Sequence, residues 1–149
     1  MPRQGEHHRL GRSLMKRVIK MTPVNRFTLV TSQDRNRAEP VEIWKARKFI
    51  DEHSGEELSL NKVARAVNIS ANHLSEKFKQ VTGINFVDYV ARTRFDKACD
   101  LLLNSNLRIS EIAFAVGFQS LSQFNRVFKR LSDKSPSAYR AAHQKRKRR

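Results

Sequence analysis

The chain has 149 residues, with 30 Lys and Arg against 14 Asp and Glu, a formal charge of +16 and a pI near 10.9. That excess selects a polyanionic partner: DNA, RNA or an anionic membrane surface. No apolar run approaches the roughly 18 residues that a membrane-spanning helix needs. Cys99 is the single cysteine, so no intramolecular disulfide can form, which suits a reducing cytoplasm.

Residues 1–41 carry 9 basic and 3 acidic side chains, lack sustained amphipathic periodicity and contain Pro23 and Pro40. They are expected to be a basic, largely disordered segment or a linker. Leu14, Val18, Ile19 and Met21 have the spacing of one helical turn, and Phe27 to Val30 that of a short strand. The segment is Arg-rich like an organelle transit peptide, but Glu6 and the absence of a clear amphipathic helix argue against that reading. His7 and His8, without Cys or acidic partners nearby, read as solvated side chains, and no metal site is expected.

From Val41 the spacing becomes helical. Ile43, Ala46, Phe49 and Ile50 mark the buried stripe of a first helix ending near Ser54-Gly55, with Trp44 and Phe49 read as packing residues. A helix-turn-helix follows at about 59–82, closed by Gly83 as a C-cap. A long helix is predicted over 85–104, with Phe86, Val87, Val90, Phe95, Ala98, Leu101 and Leu102 on its apolar face and Cys99 as a core or boundary thiol. A second helix-turn-helix fills 109–132, and Ser135-Pro136 opens a short last helix through Tyr139. Residues 143–149 read as a mobile basic tail. The expected fold is all-α: two helix-turn-helix subdomains joined by a long central helix, within a domain at 42–142.

The two units are copies of one pattern. Leu60, Val63, Ala64, Val67, Asn68 and Ile69 recur as Ile109, Ile112, Ala113, Val116, Gly117 and Phe118. Leu74, Phe78 and Val81 recur as Phe124, Phe128 and Leu131. A small alanine lets the two helices of each unit approach, Asn or Gly tolerates the positive φ of the turn, and Ser70 and Ser120 stand where N-caps belong. A doubled unit presents a doubled binding surface. The charge is uneven: residues 42–107 hold 10 basic and 9 acidic side chains, residues 108–142 hold 6 and 2, and residues 143–149 hold 5 and none.

The run Arg94-x₃-Ala98-x₂-Leu101-Leu102-x₆-Ile109-x₂-Ile112-Ala113-x₂-Val116-Gly117-Phe118-x-Ser120-x₃-Phe124-x-Arg126-x-Phe128-Lys129, with Ser135-Pro136-x₂-Tyr139-Arg140 after it, resembles the DNA-binding domain of AraC/XylS-type transcription regulators. Leu74-x₃-Phe78-Lys79-x₃-Gly83-x₂-Phe86-x₂-Tyr89-Val90-x₃-Arg94 resembles the same family. Asp133 departs from it, standing where the family usually has Gly, and a small stability cost with an intact turn is expected. The resemblance implies bacterial transcription control, with each unit setting its second helix in a major groove. It implies double-stranded DNA and RNA polymerase as partners, an activator or a repressor as the output, and a cytoplasmic, nucleoid-associated protein without a cofactor. Members of the family often carry a sensing and dimerising domain before this module. The chain is therefore expected to be a stand-alone regulator or part of a longer one, monomeric on DNA by itself and dimeric with such a domain.

The exposed positions near the start of each second helix are the ones that enter a groove. Here they are Asn72, His73, Ser75, Glu76 and Lys79, then Ser122, Gln123, Asn125, Arg126 and Lys129. The family's usual base-contacting positions fall on Asn72, Ser75, Glu76, Ser122, Gln123 and Arg126. Ser70, His73, Lys79, Ser120, Asn125, Lys129 and Arg130 are the flanking or phosphate candidates. Arg126 suits a bidentate pair to guanine, Asn72, Gln123 or Asn125 one to adenine, and Glu76 accepts from cytosine. No phosphate-binding Gly loop, nucleophile–base set or carboxylate pair emerges, so no enzymatic activity is expected. Two other classes stay open: a non-specific basic nucleic-acid coater and a protein-interaction module.

Overall fold

The computed structural model describes residues 39–147, and among them the fold is seven α-helices with no strand. They are α1 Val41–His53, α2 Leu60–Ala66, α3 Ala71–Thr82, α4 Phe86–Asn104, α5 Ile109–Ala115, α6 Leu121–Ser132 and α7 Pro136–Lys147. The helical turn and short strand expected before residue 39 lie outside the described residues, as do His7 and His8. None of these helices is long and apolar enough to cross a membrane.

Local chemistry sets the boundaries. Ser59, Ser70, Asn85 and Ser120 cap α2, α3, α4 and α6, each side chain accepting from a backbone N–H three residues on at 2.8–3.1 Å. Gly83 ends α3 at φ +82° and Asp133 ends α6 at φ +62°, so the aspartate adopts the left-handed cap that the glycine makes in the first unit. Asn68 (φ +62°) and Gly117 (φ +107°) close the two helix-turn-helix corners.

Two cores form, one per unit. The first gathers Ile43, Ala46, Ile50, Val63, Ala64, Leu74, Phe78, Phe86, Tyr89 and Val90. The second gathers Phe95, Ala98, Cys99, Leu102, Ile112, Ala113, Val116, Phe118, Phe124, Phe128 and Tyr139. Helix α4 belongs to both, its first half closing one core and its second half opening the other.

The repeat is longer than the sequence pattern suggests, because α4 plays two parts. As the helix after α3 it matches α7. Tyr89 meets Phe78 edge-on at 4.9 Å as Tyr139 meets Phe128 at 5.4 Å, and the Thr82 and Ser132 hydroxyls tie the preceding turns in the same way. As the helix before α5 it matches α1: buried Ile43, Ala46, Arg47 and Ile50 are repeated by Phe95, Ala98, Cys99 and Leu102. Arg47 bonds the Tyr89 hydroxyl at 3.2 Å, and Cys99 takes the same place beside the Tyr139 hydroxyl. Burial, with Cys99 next, pushes the Tyr139 phenol well above its ordinary pKa.

Four expectations need correction. Val87, expected on the apolar face of α4, is 72% exposed, and Tyr89 is buried in its stead, since Phe86, Tyr89, Val90 and Thr93 follow the helical period more closely. Trp44 is 43% exposed rather than packed, standing beside the buried Ile43–Ala46–Arg47–Ile50 stripe with the Lys48 ammonium 5.3 Å from its ring centre. Arg47 fills the stripe at 2% exposure, with Glu39 as its ion-pair partner at 2.6 Å. The last helix does not stop near Tyr139, and residues 143–147, expected as a tail, continue it. Arg140 donates to the Leu102 carbonyl at 3.1 Å and Lys147 to the Leu103 carbonyl at 3.1 Å, so cations on α7 satisfy the bare C-terminal end of α4.

The two units also touch directly. Arg94 on α4 donates from Nε to the Ser54 carbonyl and from Nη2 to the Glu56 carbonyl, each at 2.9 Å, just past the end of α1. Its guanidinium lies 6.0 Å from the ring centre of Phe118 in the second unit. Lys97, one turn on, donates to the Asp51 carbonyl and to the Ser54 hydroxyl. Gly117 presses against the same Ser54 carbonyl.

Candidate nucleic-acid interface

Each recognition helix is held by its apolar side. Leu74 and Phe78 are fully buried on α3, and Phe124 and Phe128 are buried on α6, where aromatic contacts at 4.8–5.6 Å run from Phe118 through Phe124 and Phe128 to Phe95 and Tyr139. Burying each such side chain contributes about 1.5–3 kcal/mol, so the helix cannot roll without losing its anchors. The opposite faces are thereby turned outward.

On α3 the outward face carries Asn72, His73, Ser75, Glu76 and Lys79, all exposed. The His73 ring approaches Glu42 of α1 at 3.9 Å, which places it at the edge of that face. On α6 the exposed face carries Ser122, Asn125, Arg126, Lys129 and Arg130. Gln123 is half-buried, and its Oε1 accepts weakly from the Gln119 N–H at 3.4 Å. Arg130 reaches Asp88 of α4 at 3.8 Å, so this cation sits where the two units face each other. Ser70 and Ser120 accept cap hydrogen bonds, and each hydroxyl keeps its O–H free to donate to an anion. The thirteen candidate side chains thus lie on or beside α3 and α6, with Gln123, His73 and Arg130 already engaged with the protein.

Sequence reasoning missed a groove at the first turn, lined by Asn61, Arg65, Asn68, Ile69, Ser70 and Ala71. Arg65, exposed in the last turn of α2, offers a cation beside the start of α3. The signal was available in its position opposite the buried Val63 and Ala64. The electrostatics are lopsided. Helix α6 bears Arg126, Lys129 and Arg130 without a carboxylate, whereas α3 balances Lys77 and Lys79 against Glu76.

Known proteins share this arrangement. A helix-turn-helix domain family profile matches residues 63–142. An uncharacterized helix-turn-helix-type transcriptional regulator of Escherichia coli strain K12, YijO, is 38% identical over 94 residues, covering 63% of this chain and 33% of that protein. The regulatory protein PocR of Salmonella typhimurium is 38% identical over 96 residues, 64% of this chain and 32% of its own. The chain thus spans about a third of the length of these curated relatives. Among solved structures, the C-terminal domain of AraT, a response regulator from Geobacillus stearothermophilus, superposes with a TM-score of 0.69 at 34% identity, over 71% of this chain and 88% of that one. The DNA-binding domain of the global transcriptional factor AdpA, solved with a target DNA, gives 0.68 at 27% identity over 70% and 95%. The chain belongs to the AraC/XylS-type family of helix-turn-helix transcription regulators.

Proposed function

We propose that this domain binds double-stranded DNA in a sequence-specific way and regulates transcription, laying α3 and α6 into two adjacent major-groove segments. The observation that carries the reading is the pair of outward polar faces, each on a helix pinned by buried Leu or Phe residues and both set by one central helix. Helix α4 has 19 residues. At 1.5 Å per residue it spans about 28 Å, close to the roughly 34 Å between successive major-groove faces on one side of B-DNA. One chain can therefore bridge two groove segments that other helix-turn-helix proteins reach as dimers. The two faces differ, Glu76 with Asn72 and Ser75 on one and Arg126 with Ser122 and Gln123 on the other, so the preferred site is asymmetric.

In this reading base edges are met by Asn72, Ser75, Glu76, Ser122, Gln123 and Arg126. Phosphates are met by Ser70, His73, Lys79, Ser120, Asn125, Lys129 and Arg130, with Arg65 added. The domain acts as a binding module with no catalytic step, as a monomer on its site, in the bacterial cytoplasm on nucleoid DNA, and contacts RNA polymerase when it activates. Selecting bound duplexes from a random-sequence library at about 150 mM salt tests the reading, because non-specific phosphate binding weakens steeply there. A single asymmetric consensus with two separated blocks is expected. Retention of all sequences alike would identify a non-specific basic coater, and no retention of any duplex would leave protein interaction as the role.

A further inference from the structure

A lone helix is a poor brace between two compact bodies, because small bends and twists along it swing the far body through large arcs. The second contact between the units removes that freedom. Ser54 and Glu56 follow the last turn of α1, where carbonyls have no partner within the helix. Arg94 spans both carbonyls with its planar fork, a geometry a flexible ammonium does not reproduce. Lys97 takes the Asp51 carbonyl and the Ser54 hydroxyl, the latter at 2.6 Å. From the other side, the turn of the second unit closes in. Phe118 stacks near the Arg94 guanidinium, Gly117 leaves no room for a Cβ against the Ser54 carbonyl, and Gly55 comes within 3.1 Å of the Ala115 carbonyl measured from its ideal Cβ.

We infer that Arg94, with Lys97, is a positioning residue that fixes the rotation between the two recognition helices and so sets the base-pair spacing the domain accepts between the two blocks of its site. The path is short. α1 carries α3 through the first core, Gly117 and Phe118 adjoin the start of α6, and Arg94 locks the end of α1 to that corner. Neither Arg94 nor Lys97 lies on the outward faces of α3 and α6, so their effect is on register and not on the bases chosen. The inference rests on the two-groove reading above.

The test measures binding to the selected site and to versions with one base pair inserted or removed between its blocks, each of which turns one block by about 35° relative to the other. Wild type is expected to lose about tenfold or more for either change, whereas Arg94→Ala keeps its base preferences and loses less than about threefold. Lys97→Met, which retains the apolar stem, moves in the same direction and stands in if Arg94→Ala does not fold. A second measurement needs no DNA: spin labels at Gln80→Cys on α3 and Asn125→Cys on α6 report the distance between the helices, with Cys99 buried and unlabelled. A narrow distribution in wild type that broadens in Arg94→Ala or Lys97→Met supports the clamp. Unchanged spacing penalties in both variants, or equally narrow distributions, overturn it while leaving the two-groove reading intact. A wild type with no preferred duplex overturns that reading, and the spacing role with it.

Discussion

The Cβ that Gly117 lacks would stand 2.2 Å from the Ser54 carbonyl oxygen, so the two units meet backbone to backbone at this point. The same Cβ would lie 2.7 Å from Nε of Arg94, and the backbone there has φ +107°. Gly117→Ala therefore meets both a clash and a strained conformation, and is expected to cost about 3 kcal/mol or more in chemical denaturation. Gly83→Ala has φ +82° but open space around its Cβ, and should cost about 1 kcal/mol. Equal losses at the two glycines would mean that the seam at Ser54 is not tightly packed.

Ala113 is fully buried where α5 crosses α6. Ala113→Leu adds volume that the crossing has no room for, and an increase of this kind costs about 1–3 kcal/mol. Ala64→Leu should behave alike, because Ala64 holds the matching place in the first unit at 3% exposure. Thermal unfolding midpoints that did not fall in either variant would contradict the crossing geometry.

Asp133 holds the left-handed cap of α6 at φ +62°. Asp133→Ala places a residue there that tolerates this conformation less well, with an expected cost of about 1 kcal/mol. Asp133→Gly relaxes the backbone but frees the unfolded chain, so its net change should stay within about 1 kcal/mol. The order of the three midpoints, with alanine lowest, checks the cap.

Much of this architecture was legible in the sequence, and the reason is that it is repeated. Val63 with Ala64 and Ile112 with Ala113 announced two crossings, and Asn68 and Gly117 announced two corners, because each signal is local and appears twice. The sharing of α4 was harder to see. Arg47 and Cys99 occupy equivalent buried places, yet one is a cation and the other a thiol, so no hydropathy pattern connects them. The sequence places Lys147 in a basic tail and assigns Arg140 no contact, because their partners are carbonyls of α4, distant in sequence and invisible in any periodicity. Five of the six base-reading candidates are exposed, as their spacing requires, and Gln123 is half-buried; its engagement with Gln119, and that of Arg130 with Asp88, depends on backbone placement.

The basic segments at both ends of the chain and the cations of the two units should together neutralise about 6–9 phosphates, giving a log K versus log salt slope of roughly −5 to −8 on the preferred site. Titrations at a series of salt concentrations measure it. A slope shallower than about −2 would be incompatible with two docked units.

Arg126 distinguishes reading from holding most directly. It projects from the exposed face of α6 between Phe124 and Phe128, which anchor that helix on either side of it. Arg146 is exposed near the end of α7, where a cation can meet phosphate but no base edge. The decisive measurement is the affinity of Arg126→Ala and Arg146→Ala for the preferred site and for every single-base variant of it. Arg126→Ala is predicted to lose about 1–3 kcal/mol on the preferred site and to become indifferent to the base at one position, the signature of a lost guanine pair. Arg146→Ala is predicted to weaken binding slightly and evenly on all of them. A uniform loss for Arg126→Ala, with its base preferences intact at every position, would make Arg126 a phosphate clamp and contradict α6 as a base-reading helix.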